Sequence, residues 1–281
     1  MDKLIGVLIT SITQVNDVVP FSSAIAFMPE DGAELVEYLD EIDNRLVPVI
    51  FIDDFFKVDG KYVSGYSHDL YTSLEYSSHF GRIVFAFDEP MWNATKNGQD
   101  HDEVLKCMQD IKNNYPGVEM MHIEAYAELY NQYTQNNGQL KLFYDAQHIG
   151  FNCYGDFQNC GGSGVPGLNQ FIYLNEINKA IIANGSDAKL FLVPMSFTST
   201  GNVTDQHEVI KQLQAYYFFM QNNLERVSGL GGFVWGDCEF CDIDIKGAVN
   251  NVLIRDSIEK YFPLLGRKSH DFRIVLDEIK S

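Results

Sequence analysis

Short apolar runs alternate along the chain with longer segments that carry apolar residues at helical spacing. The clearest run is Ile83–Phe87, five apolar residues followed at once by Asp88, Glu89 and Pro90. An unbroken apolar run of this length is typical of a strand buried on both faces, as in a parallel sheet. Eight such runs are predicted as strands: 4–10, 22–28, 47–52, 82–90, 118–123, 149–153, 190–193 and 231–235.

Amphipathic segments follow most of these runs, and strand–helix alternation predicts a parallel sheet. Helices are predicted over 33–42, 70–79, 104–114, parts of 127–147, 168–182, 209–224 and 249–261. Eight strand–helix units favour a closed barrel over an open doubly wound sheet. The predicted fold is therefore α/β, an irregular (β/α)8 TIM barrel that forms a single domain over 1–281. The irregularity lies in the first unit, where the polar segment 11–21 does not predict a helix.

Charge and composition narrow the choice of partners. The net charge is −19 and the isoelectric point is near 4.6. A strongly acidic chain opposes binding to nucleic acid and to anionic membrane surfaces, while a neutral substrate is compatible with it. The sequence carries no P-loop motif, and no apolar run approaches the length of a membrane span. Its oligomeric state stays open.

Four of the five cysteines fall in two short segments. Cys153 and Cys160 have the spacing C-x6-C, and Cys238 and Cys241 have C-x2-C. Local disulfides, free thiols and a zinc site are all compatible with these spacings. Disulfides would require an oxidising compartment, which favours a secreted or periplasmic location.

Polar residues follow most of the predicted strands at their carboxyl ends. In a barrel these ends meet on one face, where the chemistry of such folds is found. Carboxyl groups, an amide, a phenol and an indole suit glycosidic-bond hydrolysis, in which an acid protonates the leaving oxygen and a second group stabilises or attacks the sugar carbon. The residues that we expect on this face include Asp53, Asp54, Asp88, Glu89, His122, Glu124, Asn152, Tyr154, Asp156, Ser196, Trp235 and Asp237.

Three short segments that contain these residues resemble motifs of the (β/α)8 glycoside hydrolase superfamily. The resemblance spans most of the chain in order. Asp88-Glu89-Pro90 is similar to the Asn-Glu-Pro that carries the acid/base of the large retaining clan. Asn152-Cys153-Tyr154-Gly155-Asp156 resembles the Met-x-Tyr-Asp of chitinase-type enzymes. Gly231-Gly232-Phe233-Val234-Trp235 resembles their strand-eight tryptophan.

The resemblance implies an O-glycosyl hydrolase of oligo- or polysaccharides, with a carbohydrate substrate and no cofactor. It implies that Glu89 is the proton donor and Trp235 a stacking platform. The remaining substrate-binding candidates are Asp88, Trp92, Asn152, Tyr154, Asp156 and Asp237. No metal ligands are assigned.

The resemblance does not supply the second catalytic group, because the end of the seventh strand, Val193–Phe197, has no acid where the retaining clan places its nucleophile. We expect Glu124, on the neighbouring strand, to be the second carboxylate. A substrate acetamido group assisted by Tyr154 or Asp156 is an alternative.

Two other function classes stay open from the sequence. The chain could be a catalytically inactive barrel that binds a glycan or a protein partner. It could also be a metal-dependent hydrolase that uses Asp53, Asp88, His122 and Asp237.

Overall fold

The computed structural model describes residues 3–42, 45–65, 67–76, 81–137, 139–154, 170–199, 205–237 and 245–265. Eight parallel strands close into a barrel, in the spatial order β1-β11-β9-β8-β7-β6-β3-β2. This confirms the predicted α/β TIM barrel. The barrel strands are β1 (Leu4–Leu8), β2 (Ala24–Phe27), β3 (Val47–Phe51), β6 (Val84–Asp88), β7 (Glu119–Ala125), β8 (His148–Asn152), β9 (Lys189–Val193) and β11 (Val227–Gly232). Two antiparallel pairs lie outside it, β4 (Lys57–Val58) with β5 (Lys61–Tyr62) and β10 (Thr198–Ser199) with β12 (Ile245–Lys246).

Helices follow the barrel strands and cover the outside of the barrel. They are α1 (Val15–Val18), α2 (Gly32–Glu41), α3 (His68–Tyr76), α4 (Pro90–Lys96), α5 (His101–Asn114), α6 (Tyr126–Gln135), α7 (Gln170–Ala183), α8 (Gln206–Asn222) and α9 (Val252–Tyr261). The first unit is irregular, as predicted, because only the single-turn α1 and a short 3-10 turn separate β1 from β2. Helix α4 occupies a segment for which the sequence predicted no helix.

Alternate residues of each barrel strand face the interior and the helical layer. The interior, called here the lumen, is filled by an apolar cluster that includes Val84 and Ala86 of β6 and Met121 and Ile123 of β7. The residues between them, such as Phe85 of β6, pack in the larger cluster under the helices. This alternation decides which polar side chains at the strand ends point into the barrel and which point under the helices.

The eighth barrel strand lies earlier in the sequence than its apolar run suggests. It spans Val227–Gly232, whereas 231–235 was predicted. The prediction missed its first half because Ser228 and Gly229 interrupt the apolar pattern. Trp235 therefore lies beyond the strand.

Cysteine states are described for two residues. Cys107 is free and buried in α5, and Cys153 is disulfide-bonded. The predictions for Cys160, Cys238 and Cys241 concern positions outside the described residues. Among the helices that the structure describes, none combines the length and apolar character needed to cross a bilayer.

A partly buried ionic cluster ties neighbouring strands at the amino end of the barrel. The Arg82 guanidinium donates to both carboxylate oxygens of Glu119, at 2.7 and 2.6 Å, and His148 Nε2 lies 3.0 Å from Glu119 Oε2. Burial opposes ionisation of Glu119, but the bonds from His148 and Arg82 outweigh it and hold its pKa at about 2. The cluster therefore stabilises the fold through an ionised Glu119.

Replacing Glu119 with glutamine is expected to lower the free energy of unfolding by about 1 kcal/mol at neutral pH, because the amide leaves Arg82 without its anion, while solvent screens this partly exposed pair. The folded pKa lies below the ordinary value of 4.5, so the contribution of the carboxylate is complete above 4.5 and disappears as the pH falls through the folded value. Urea unfolding should show that the difference in free energy of unfolding between wild type and variant is smaller near pH 3 than at neutral pH.

The matched control is Glu176→Gln, which removes an exposed pair with Lys179 on the surface of α7. Such pairs contribute little, so this variant should unfold like the wild type at both pH values. An equal gap for Glu119→Gln at both pH values would contradict the assigned role.

Candidate active site

The mouth of the barrel, where the carboxyl ends of its strands meet, carries two adjacent acids. Asp88 is the last residue of β6, and Glu89 follows it directly. Both side chains are half-buried, so they are accessible from the mouth. Asp88 continues the inward phase of Val84 and Ala86 and lines the cavity at the top of the lumen. The structure thus brings these two predicted site residues together.

Glu89 has an unusual backbone. It is the N-cap of α4 and adopts the left-handed conformation, with φ 49° and ψ 42°. Its N–H donates to the Ile123 carbonyl of β7 at 2.7 Å, and its carbonyl accepts from Asn93 at 2.8 Å. The side chain makes no capping bond to its own helix. Its carboxyl group instead has the Asn152 amide of β8 as a hydrogen-bond partner, so the predicted residue Asn152 belongs to this site.

Burial raises the pKa of both acids. For Asp88 the pKa lies well above its ordinary value, because burial is reinforced by the charges of Glu89, Asp53 and Glu124. Burial also raises the pKa of Glu89, although the Asn152 bond and the charge of Lys96 act against it. Two adjacent carboxyl groups of this kind titrate as a pair. The pair therefore retains a proton at a pH where isolated carboxyl groups have lost theirs.

Asp53 supports the pair from below. It is buried, and its two oxygens accept from the Tyr62 hydroxyl at 2.6 Å and from the Asp88 N–H at 2.9 Å. Burial raises the pKa of Asp53. Its neighbour Asp54 is exposed and pairs with Lys57 at 3.2 Å. The adjacent aspartates thus have different roles, one under the site and one at its rim.

Glu124 occupies a different environment from the one its predicted role requires. It is fully buried, and both of its oxygens accept hydrogen bonds from backbone N–H groups, including those of Met91 and Trp92 at 3.0 and 3.2 Å. The physical reason is the phase of β7: Ile123 faces the lumen, so Glu124 points outward under α4. A carboxylate sealed in this way cannot reach a substrate, and we revise its assignment as the second carboxylate.

Aromatic side chains form one wall of the mouth. The rings of Tyr154 and Phe233 stack with their centroids 5.1 Å apart, and Phe197 packs against both rings edge-on at 5.2 and 5.7 Å. Tyr154 and Phe233 are half-buried, whereas Phe197 is fully buried. The first two therefore offer surface to a ligand. Tyr154 was a predicted site residue, but Phe233 was not singled out.

Trp235 does not form the predicted platform. Only 1% of its surface is exposed, and its ring packs at 5.1 Å against Phe21 in the outer core. Its backbone N–H donates to the Leu8 carbonyl. The residue that lines the mouth is Phe233, which directly follows the eighth barrel strand and faces inward like Gly229 and Gly231. Sequence analysis could not tell which residues of this strand face inward, because that depends on where the strand begins.

Three further predicted substrate-binding residues have different outcomes. Asp237 is exposed, and its oxygens accept from the Gly247 N–H and the Asn250 amide at 2.8 Å each, so it holds a loop. Trp92 is half-buried on the first turn of α4, three residues after Glu89. Asp156 lies outside the described residues.

The cavity below the mouth extends down the lumen as far as Leu4 and Ala24 and is lined mainly by apolar and small residues. The cavity has a volume of about 40 Å³, enough for a few water molecules. A ligand larger than this would therefore lie above the lumen, beside the acids and the aromatic wall. The lining residues include Gly6, Leu8, Ala26, Phe51, Asp88, Tyr154, Val193, Gly231 and Phe233.

A metal centre finds little support in this part of the molecule. The described residues contain no group of three or more His, Cys, Asp or Glu side chains arranged to hold a metal ion. Of the residues considered for such a centre, His122 bonds to Glu124, Asp53 bonds to Tyr62, and Asp237 ties a loop.

Comparisons with known proteins give structural neighbours only. No protein-family model matches the chain, and no curated protein matches it. Among solved structures, it resembles an endo-β-1,4-glucanase from Xanthomonas axonopodis pv. citri, with TM-score 0.59 and 11% identity over 92% of this chain and 99% of that one. It also resembles xylanase 10B from Thermotoga maritima, with TM-score 0.54 and 9% identity over 93% and 96%. An endo-1,4-β-xylanase from Caldicellulosiruptor owensensis gives TM-score 0.52 and 10% identity over 92% and 97%. At these identities the likeness shows that the chain has the barrel fold of these glycoside hydrolases.

Proposed function

We propose that the chain is a glycoside hydrolase that acts on O-glycosidic bonds of an oligo- or polysaccharide, with Glu89 as the proton donor. The observation that carries the proposal is the half-buried pair Asp88–Glu89 at the mouth, whose pKa values are both raised. Perturbed carboxyl groups in a cleft are typical of acid/base catalysis. The barrel fold of the glucanase and xylanase neighbours supports the same assignment.

The geometry suggests how the two acids divide the work. Glu89 points away from its own helix and is free to protonate the leaving oxygen. Asp88 faces the lumen beside Tyr154. Because the two acids titrate as a pair, Asp88 carries the negative charge that can stabilise the sugar carbon when Glu89 holds the proton that they share. Asn152 holds the Glu89 carboxyl group, and Tyr154 and Phe233 offer their rings to the apolar face of the sugar. In the described residues, no acid follows β9 at the mouth.

The test is a panel of aryl glycosides and natural oligosaccharides, assayed across pH. A general acid must be protonated, so activity falls as the pH rises through its pKa. Because burial raises the pKa of Glu89 above its ordinary value of 4.5, the alkaline limb of kcat/KM should lie above that value. An alkaline limb at or below the ordinary value would contradict a buried donor.

A glycan-binding barrel without turnover is the second candidate. The observation that favours it is the sealed position of Glu124, together with the absence of an acid after β9 in the described part of the chain. Saturable oligosaccharide binding without hydrolysis of any panel member would support this candidate over the first.

A further inference from the structure

The sequestered Glu124 is attached to the segment that presents Glu89. Glu124 Oε2 accepts from the Met91 N–H at 3.0 Å, and Oε1 accepts from the Trp92 N–H at 3.2 Å. These two N–H groups lie in the first turn of α4, where a helix has no internal acceptors to offer. Glu89 itself makes no side-chain capping bond. A residue from the next strand therefore caps the helix in place of Glu89.

The remaining bonds of Glu124 fix the orientation of its carboxylate. Its Oε1 also accepts from the Ala125 N–H at 2.8 Å, and its Oε2 lies 3.2 Å from His122 Nε2. His122 Nδ1 accepts from the Phe143 N–H at 3.1 Å, so the ring carries its proton on Nε2 and donates it to Glu124. A fully buried carboxylate with four donors is satisfied without a cation.

These contacts matter because the backbone at Glu89 is unfavourable for a residue with a side chain. A left-handed conformation is unfavourable for a non-glycine residue and persists only where its surroundings enforce it. On one side of Glu89, Asp53 binds the Asp88 N–H, and on the other side Glu124 binds the start of α4. The conformation at Glu89 is thus held from both ends.

We propose that Glu124 is a positioning residue for Glu89: its buried carboxylate binds the first turn of α4 and fixes the backbone from which the Glu89 side chain reaches the mouth. The assignment of a catalytic task to Glu89 rests on the proposed function. The positioning itself rests on the hydrogen bonds alone and can be tested without turnover.

Glu124 also influences the titration of Glu89. The groups that face the Glu89 carboxyl are the acids Asp53, Asp88 and Glu124, the cation Lys96 and the amide Asn152. The negative charge of Glu124 raises the pKa of Glu89. Removing that charge should lower the pKa of Glu89 and move the alkaline limb of activity to lower pH.

The experiment compares Glu124→Gln with the wild type in the full chain. Glutamine keeps the shape but loses one acceptor atom and the charge, so one of the two N–H groups of α4 is left unpaired. We expect amide hydrogen exchange in the segment 88–95 to accelerate about tenfold, which corresponds to the loss of roughly one bond. We also expect kcat to fall on the order of 10²-fold with little change in KM, since the donor is displaced while the sugar still binds.

The matched control is Glu128→Gln on α6. Glu128 is also buried and also contacts α4, but through the Thr95 hydroxyl at 3.2 Å rather than through the backbone of the first turn. This variant should lower stability while leaving exchange of the Met91 and Trp92 amides, kcat and the alkaline limb unchanged. Equal effects in both variants would reduce Glu124 to an ordinary core residue and overturn the proposal.

Titration of Glu89 by carbon NMR, with its signal assigned from Glu89→Gln, gives a readout that needs no activity. If the wild type hydrolyses no glycoside, faster exchange and a lowered Glu89 pKa in Glu124→Gln would still support positioning, and only the proposed function would fail. Unchanged exchange and titration would overturn the positioning role whether or not the wild type is active. If Glu124→Gln does not fold, Glu124→Asp serves instead, because it keeps the charge but shortens the reach to α4 and should still accelerate exchange.

Discussion

Replacing Glu89 with glutamine is expected to lower glycoside hydrolysis by about 10³-fold, while affinity for an oligosaccharide stays close to that of the wild type. The amide fills the same space and can still bond to Asn152, but it has no acidic proton to give to the leaving oxygen. Measurements of kcat/KM and of equilibrium binding by calorimetry, made on the same preparations, separate the two effects.

The size of the loss should depend on the leaving group, which makes the assignment specific to proton donation. The oxygen of a departing sugar must be protonated as the bond breaks, whereas a dinitrophenolate leaves without protonation. We therefore expect the large loss with oligosaccharides and a loss of about tenfold or less with dinitrophenyl glycosides. A uniform loss across leaving groups would show that Glu89 does not act as the acid.

Glu30→Gln is the control for this series. Glu30 is an exposed acid in the segment that follows β2, on the same face of the barrel as Glu89. Its replacement removes one negative charge from that face without touching the buried pair. Its kinetics should match those of the wild type for every leaving group.

The outcome for Glu89 and the revision for Glu124 show what the sequence can predict about such a site. The run Ile83–Phe87 indicated a buried strand, and Pro90 indicated where it ends, so the acids were correctly expected at a strand's carboxyl end. The pattern identifies the end of a strand well because an apolar run must stop where burial stops.

The direction of a side chain at that end depends on the phase of the strand. A shift of one residue exchanges the lumen face for the helix face. The strand that carries Glu124 is buried on both faces, and its sequence from Met120 to Ile123 offers no alternation from which to read the phase. Sequence analysis therefore placed Glu124 at the mouth, whereas the structure buries it under α4.

Helix α4 was missed for a related reason. Asn93, Thr95 and Asn97 are typical of loops, and the apolar positions of this segment are few. Its helix depends on tertiary contacts, namely the bonds from Glu124 to its first turn and the buried side chains of Met91 and Ala94. Local sequence carries little information about contacts that another strand supplies.

Replacing Trp235 and Phe233 tests which of the two residues faces the mouth. We expect the first replacement to lower stability and the second to weaken sugar binding. Trp235→Ala should lower the free energy of unfolding by about 3–5 kcal/mol, since it empties a fully buried site beside Phe21. Phe233→Ala should cost less stability, because its ring is only half-buried. It should weaken oligosaccharide binding about tenfold, which is the effect of losing about one stacking contact.

A loss of about 5 kcal/mol in the free energy of unfolding is enough to leave Trp235→Ala unfolded, since domains are stable by only about 5–15 kcal/mol. Trp235→Phe avoids this problem: it keeps an aromatic ring in the core and should lower stability modestly while leaving sugar affinity intact. Chemical denaturation and calorimetric binding on the same samples provide the comparison. If Trp235→Phe instead weakens sugar binding at unchanged stability, the strand-eight tryptophan is the platform after all, and Phe233 is only part of the barrel wall.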